Sequence, residues 1–531
     1  MPNSRKLLVL AIDAANPELL QSWAADGTLP YLASLMASGL TAGTRNVEAL
    51  FVGATWPSFT TALTPGGHGI YWLDILKRGS YEIRRCGAAE LGRRKTFWEI
   101  LSDAGQRVIV MDVPLARRSP GLNGIQIVEW GTHDPAFGFQ TTPKRLGETI
   151  LRRFGPHPAP RMCDVPGRSP GECRELSAQL VQGAALRARL TNNLLSEESW
   201  DMAIQVFSEA HCGGHQLWHC HDPQHPGFDA SDSGAGDLIR DVYVSVDRAI
   251  GEVLSAQGPD TTVVVMTLHG MTRMHGYHYL TPDILLRLGL MRRASAGPEG
   301  APAAASGAAG AGSGLRSLYR RIPVSIRGPL YQLRQQLLQR FLGRGQPIDV
   351  DPAGSRCFDV GLGPTLSAIR LNLQGREPAG TVAPGADADD LCRELTDRFM
   401  EVTHPETGAR LVHRVLRSAE LFPGPYLAEL PDILIEWNED PAVGSTRVGT
   451  GAGATLRVAS PAIGELEYLN TYCRSGDHRI EGMFIARGPG IAPGRLDRVV
   501  STLDLAPTFT KLLGSEMPAV HGRPIPELLP R

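Results

Sequence analysis

The chain has 531 residues, with 53 basic against 55 acidic side chains and a formal net charge of -2. That length can hold one large domain with insertions, or two to three smaller ones. The balanced charge offers no broad electrostatic footprint for nucleic acid or for an anionic membrane. The eight cysteines (Cys86, Cys163, Cys173, Cys212, Cys220, Cys357, Cys392 and Cys473) form no Cys-x-x-Cys pair. Neither a zinc knuckle nor a disulfide framework is expected from them.

The first element in the chain is the apolar run "LLVLAI", Leu7 to Ile12, ended by Asp13. It is too short for a signal-peptide core or a bilayer span, so the expectation is a cytoplasmic chain with no transmembrane anchor. Helices follow in "PELLQSWAADG" and "LPYLASLMASG", ending at Gly27 and Gly39. Next comes "GATWPSFTTALTPGGHGIYW", Gly53 to Trp72, where a threonine precedes a Trp-Pro pair and a glycine-rich turn. Two readings stand side by side. Thr55 can cap a helix that has Pro57 in its first turn. It can also sit at the free N–H groups of that helix as a nucleophile facing a phosphate-like anion.

Further along, "RVIVMDV" (Arg107–Val113), "MAIQVFS" (Met202–Ser208), "TTVVVMTL" (Thr261–Leu268) and "GMFIAR" (Gly482–Arg487) are short, β-rich and continuously apolar. Such strands alternating with helices predict an α/β fold, a largely parallel sheet covered by helices on both faces. "ASAGPEGAPAAASGAAGAGSG", Ala294 to Gly314, reads as a flexible low-complexity linker. Behind it, Leu330, Leu333, Leu337, Leu338, Phe341 and Leu342 repeat at helical spacing with Arg334 and Arg340 among them. That pattern suits a helix packed on its own protein, or a basic amphipathic helix at a membrane. The predicted organisation is a first core part over 1–293, with a cap-like insertion near 115–200. The linker follows at 294–314, a helical insertion at 315–350, and a second core part at 351–531.

In a parallel α/β sheet the working crevice lies at the carboxyl ends of the strands. Asp13 follows the first strand, His269 follows "VVVMTL", and His211 and His215 follow "IQVFSEA" in "SEAHCGGHQLWHCHD". His478 precedes another strand in "SGDHRIEGMFIARGPG". An Asp, a Thr and four His gathered at strand ends point to a site for zinc-like ions, and His at i and i+4 is a familiar ligand spacing.

The order Asp13, "TWPSF", His211/His215, "LHGM" (Leu268–Met271) and "GDHR" (Gly476–Arg479) resembles the type I phosphodiesterase/nucleotide pyrophosphatase family of the alkaline phosphatase superfamily. "SAIRLNLQGREPAGTV" (Ser367–Val382), "ELPDILIEW" (Glu429–Trp437) and "STLDLAPTFTKLLG" (Ser501–Gly514) extend the likeness towards the C-terminus. The resemblance implies an alkaline-phosphatase-like fold and a hydrolase of phosphodiester or pyrophosphate bonds. It makes Thr55 the nucleophile of a covalent phospho-threonine intermediate. It also implies two divalent ions, zinc or alternatively manganese: one held by Asp13, Thr55 and His269, the other by His211, His215 and His478. The expected partner is a small phosphorylated or nucleotide-like substrate. The chain departs from the family where Asp-x-x-x-His becomes His211-x-x-x-His215 and where Leu268 replaces the Asp before His269. The family's oxyanion-binding Asn after the His-Gly is also missing, since Ile70 to Asp74 follow His68-Gly69. With Asp13 the carboxylate that remains, one ion is expected to be tight and the other weak. Glu209, Asp477 and the histidines at 219, 221, 275 and 278 are the groups at hand to compensate. A phosphomonoesterase, a phosphomutase, a sulfatase-like enzyme and a phospho-ligand-binding member without turnover remain alternatives on the same chassis.

Overall fold

The structure is a computed structural model. It describes residues 6–49, 52–131, 135–159, 168–225, 227–230, 237–274, 277–294, 346–347, 350–362, 366–438, 455–469 and 474–529. The linker at 294–314 (beyond its first residue) and nearly all of the helical segment at 315–350 lie outside the described residues.

The central strands are β1 (Lys6–Ile12), β2 (Leu40–Arg45), β3 (Val108–Met111), β4 (Gly124–Val128), β5 (Gln140–Thr142) and β6 (Met202–Phe207). They continue with β7 (Thr261–Thr267), the short β8 (Gly270–Arg273) and β9 (Gly476–Arg479), then β10 (Glu481–Arg487) and β11 (Gly494–Arg495). The main sheet runs β11-β2-β10-β7-β1-β6-β3-β4-β5, with Val500–Ser501 added against β2. Pairings from β7 through β1, β6 and β3 to β4 are parallel, whereas β10 is antiparallel to both of its neighbours. The expected largely parallel α/β sheet is therefore present. The stretch 115–200, expected as a cap-like insertion, supplies β4 and β5 at the sheet's edge.

Side chains alternate across a strand, and β1 shows how that builds two cores. Leu8, Leu10 and Ile12 join one cluster with Trp23 of α1 (Pro17–Ala25) and Leu32 of α2 (Pro30–Ser38). The same cluster takes in Leu180 of a 28-residue helix, α6 (Pro170–Glu197), and Ile239 of α8 (Leu238–Ser255). Leu7, Val9 and Ala11 join the opposite cluster, with Phe59 of α3 (Thr55–Thr61), Phe97 of α5 (Phe97–Asp103) and Phe509 of α9 (Leu505–Leu512). Helices thus cover both faces. Residues between 357 and 437 build a separate four-stranded antiparallel sheet, Cys357–Asp359, Leu366–Leu371, Ile433–Trp437 and Val412–Arg417 in spatial order, with its own apolar cluster.

The glycine-rich turn after α3 has a packing role. Residues Pro65–His68 form the single turn α4, and a Cβ on Gly66 would lie 1.9 Å from the Phe422 carbonyl oxygen. The Gly66 carbonyl accepts from Tyr426 N–H at 3.0 Å, so bare backbone lets the distant 422–426 segment dock here. His68 clamps the same turn to α3. Its Nδ1 accepts from Ile70 N–H at 3.1 Å, so Nε2 carries the proton and meets Ser58 Oγ at 2.9 Å. Burial pushes the His68 pKa down to about 3. A histidine depressed in the folded state stabilises fully above its unfolded pKa near 6.5, and that stability is lost as pH falls towards 3. We expect stability to fall by up to about 1.4 kcal/mol per pH unit from this residue below pH 6. Urea midpoints for wild type and His68→Asn between pH 7 and 5 check it, and an equally steep fall in the variant would count against His68.

Candidate metal and nucleophile site

Sheet topology brings the sequence-predicted residues to one edge. Asp13 leaves β1, with its N–H donating to Phe207 O at the end of β6 at 2.9 Å. His269 leaves β7, and α7 (Glu209–His221) begins two residues after β6. His478 arrives from far along the chain on β9, opposite Met271 in the ribbon that β9 forms with β8. This approach depends on glycine, because a Cβ on Gly476 would stand 2.3 Å from Gly214 O in α7.

His211, His215 and His478 each offer a ring nitrogen, and these atoms lie within 4.8 Å of one another. The hydrogen bonds fix which nitrogens face inward. His215 Nδ1 lies 2.8 Å from Gly476 O and donates to it, so Nε2 is an acceptor. Arg474 Nη1 is 3.0 Å from that Nε2, and His211 Nε2 is 2.9 Å away. His211 Nδ1 meets Asp13 Oδ2 at 2.7 Å. With Nδ1 of His211 turned to Asp13 and Nδ1 of His215 turned to Gly476, the two Nε2 atoms are the ones that face each other across the cluster. Three imidazoles so arranged suit a zinc-like ion.

Asp13 is 2 % exposed, and its other oxygen accepts from Trp56 Nε1 at 3.1 Å. Burial alone would raise its pKa; the adjacent His211, with His269 and Trp56, outweighs this and holds the carboxyl below its usual value. The His269 ring centroid is 4.7 Å from that of His478 and 6.3 Å from that of His211. Burial, with His211 adding to it, lowers the His269 pKa to about 4 against the pull of Asp13. His269 Nδ1 is buried without a hydrogen-bond partner among the described residues, which fits a ligand atom. The contact of Asp13 with His211 crosses between the two ligand sets drawn from the sequence.

Thr55 is fully buried and is not the cap of α3; that place falls to Ala54, and the helix has no side-chain cap. Instead Asn46, just beyond β2, donates from Nδ2 to Thr55 Oγ1 at 2.9 Å. Asn46 Oδ1 accepts from Val47 N–H at 2.8 Å, which fixes the amide's orientation. Sequence reasoning missed Asn46 and Trp56. The strand-end rule that found Asp13 could have flagged Asn46, since it follows β2 in the same way.

Among the described residues, Glu209, His219 and His221 are otherwise engaged. Glu209 is held by Arg187 Nε at 3.0 Å and His157 Nε2 at 2.9 Å, beside a cavity of about 250 Å³ that Trp130 and Phe139 also line. Arg187, itself 1 % exposed, also pairs with Asp112 at 2.5 Å. Strand alternation turns Asp477 to the face opposite His478. His221 Nδ1 binds Asp237 at 2.6 Å, and His219 Nδ1 lies 3.1 Å from Ser475 Oγ. The side chains of His275 and His278 lie outside the described residues. Cys212 is disulfide-bonded, which the scattered cysteine spacing did not lead us to expect.

A parallel α/β sheet with its polar cluster at the carboxyl edge places the chain among the α/β enzymes. A model of the type I phosphodiesterase / nucleotide pyrophosphatase family matches residues 7–316, well over half the chain. The chain belongs to that family and is an enzyme of its hydrolase class. Among solved structures it is similar to murine ectonucleotide pyrophosphatase / phosphodiesterase 5, at 12% identity over 98% of this chain and 97% of that one, with a TM-score of 0.47. The human counterpart gives the same figures of 12%, 98%, 97% and 0.47. Phosphonoacetate hydrolase from Sinorhizobium meliloti 1021, solved with phosphonoacetate, is 16% identical over 95% of this chain and 94% of that one, with a TM-score of 0.47. No curated protein sequence matches the chain. Among the described residues no helix is long and apolar enough to cross a membrane.

Proposed function

We propose that the protein is a metal-dependent hydrolase of phosphodiester or pyrophosphate bonds in a small, nucleotide-like substrate, with Thr55 as its nucleophile. The observation that carries this reading is the buried Thr55 hydroxyl, oriented by Asn46, on the sheet edge that also holds the three-imidazole cluster. His211, His215 and His478 would hold one ion; Asp13, Thr55 and His269 would hold a weaker one. Such ions, when bound, supply the positive charge that makes a threonine alkoxide accessible near neutrality. Asn46 keeps the Thr55 oxygen in place by donating to it. Thr55 Oγ bonds to phosphorus as the bond to the leaving oxygen breaks, and water then cleaves the threonyl phosphate and restores the hydroxyl. Asp13, pinned by Trp56 and His211, keeps a negative charge beside the imidazoles.

Turnover of an aryl phosphodiester, an aryl phosphomonoester and an aryl sulfate, measured beside metal content, tests the reading. The diester should be hydrolysed fastest, with activity lost on chelation and restored by zinc or manganese. Preference for the monoester or the sulfate would overturn the substrate class. Asn46→Ala is expected to lower kcat by roughly 10²-fold, the usual scale for removing a donor at a reacting oxygen, with little change in KM. An unchanged kcat would remove Asn46 from the machinery.

A further inference from the structure

A second cluster of metal-ligating side chains lies away from the phosphoryl site. Cys173 stands in the first turns of α6, while His219 and Cys220 are in the last turn of α7. Their three donor atoms lie within 4.8 Å of one another. Cys173 and Cys220 are both thiols rather than half-cystines. Cys220 Sγ is 3.4 Å from His219 Nε2. In a tetrahedral zinc site with Zn–S of about 2.3 Å and Zn–N of about 2.0 Å, sulfur and nitrogen stand roughly 3.5 Å apart, so the observed spacing fits.

The surroundings accommodate the tautomer that a ligand needs. Ser475 Oγ donates its proton to His215 O at 3.3 Å, and it lies 3.1 Å from His219 Nδ1. With its proton on His215 O, the hydroxyl accepts from an Nδ1–H, and the Nε2 lone pair then faces the sulfurs. A second hydrogen bond that orients a ligating imidazole in this way is a recurring feature of metal sites. Two thiolates also neutralise one divalent charge, which suits a place where Cys173 is 2 % exposed.

We propose that Cys173, His219 and Cys220 form a thiolate–imidazole site for a thiophilic divalent cation such as zinc. The bound ion ties the start of α6 and the end of α7 to Ser475, whose N–H donates to His215 O at 2.7 Å three residues before His478. The Cys173 thiol, lowered to about 5 by its hydrogen bond with Cys220 and by His219, against burial, is in keeping with a thiolate ligand. The soft sulfur donors distinguish this site from the all-imidazole cluster.

Cobalt(II) alone, added to full-length protein stripped of metal and kept reduced, tests the proposal. A thiolate-to-cobalt charge-transfer band should appear in the wild type and in His215→Ala. It should be lost in Cys173→Ser and in Cys220→Ser, each checked for native far-ultraviolet circular dichroism. Zinc should also protect two thiols of the wild-type protein from alkylation, a measurement that needs no variant. Absence of the band from the wild type, its persistence in both serine variants, or alkylation of both thiols at the same rate with and without zinc would overturn the site. None of these readouts depends on hydrolysis, so failure here and failure of the Thr55 reading are distinguishable.

Discussion

Replacing Thr55 by alanine is expected to lower turnover by at least about a thousandfold while leaving the fold and most metal binding intact. The substitution leaves one of the two Asn46 Nδ2 hydrogens without its acceptor, at a cost of about 1–3 kcal/mol that lowers the melting temperature without unfolding the chain. Asn46 Nδ2, which now donates to Thr55 Oγ1, also reaches Leu268 O at 3.2 Å and keeps that acceptor. The side chain removed is small and lies in the first turn of α3, where alanine is well tolerated. Native far-ultraviolet circular dichroism beside lost activity would exclude loss of the fold as the cause, and trapping separates the covalent role from that of a ligand. Rapid quenching of the wild type with a labelled diester should trap label on Thr55. Activity above a tenth of wild type, or label elsewhere, would remove Thr55 as nucleophile.

The phosphoryl site should hold one divalent ion firmly and a second only weakly. Two ions side by side repel, and each unit charge near 4 Å counts for about 4 kcal/mol at an effective dielectric of about 20 before screening. Leu268 supplies no charge; it belongs to the apolar cluster of Ala11, Met266 and Phe484. Glu209 is hydrogen-bonded to Arg187 and His157, and Asp13 is shared with His211 and Trp56. The three-imidazole set keeps enough ligands for a zinc with an open position, whereas the Asp13, Thr55 and His269 set relies on one carboxylate. Elemental analysis of Cys173→Ser/Cys220→Ser, where the phosphoryl site stands alone, should give one ion per chain after dialysis against a mild chelator. Leu268→Asp should raise affinity for the second ion and lower the melting temperature when no metal is present. Two ions surviving dialysis in the double variant would defeat this account.

Much of the fold could be read from the sequence because its signals are local. The apolar runs at 7–12, 202–207 and 261–267 are strands, and the crevice rule placed Asp13, His211, His215 and His269 at their ends. Strand direction was not legible. "GMFIAR" is as apolar as its neighbours, yet it lies antiparallel between β7 and β2, and a periodicity that reports burial says nothing about orientation. Thr55 as a cap was a local inference that the hydrogen bond from Asn46 displaced. The crossing of Asp13 to His211 and the reach of Arg474 to His215 depend on side-chain placement to within an ångström. No spacing in the sequence encodes such distances.

The position of β10 bears on how the chain is made. β1, β6 and β7 can pair as the polypeptide grows, but the β7 edge that β10 will cover stays bare until Arg487 has been synthesised. At 5–20 residues per second, translation from Thr267 to Arg487 leaves that edge open for about 10–40 s. An unpaired apolar edge is a template for pairing with another chain, and polysomes bring identical chains close together. β9, with His478, emerges just before β10, so the sheet's missing partner and the last imidazole of the cluster arrive within the same second or two. Elongation speed over the 267–487 stretch, and any chaperone that shields the β7 edge meanwhile, therefore govern how much of each synthesis run ends as native protein rather than aggregate.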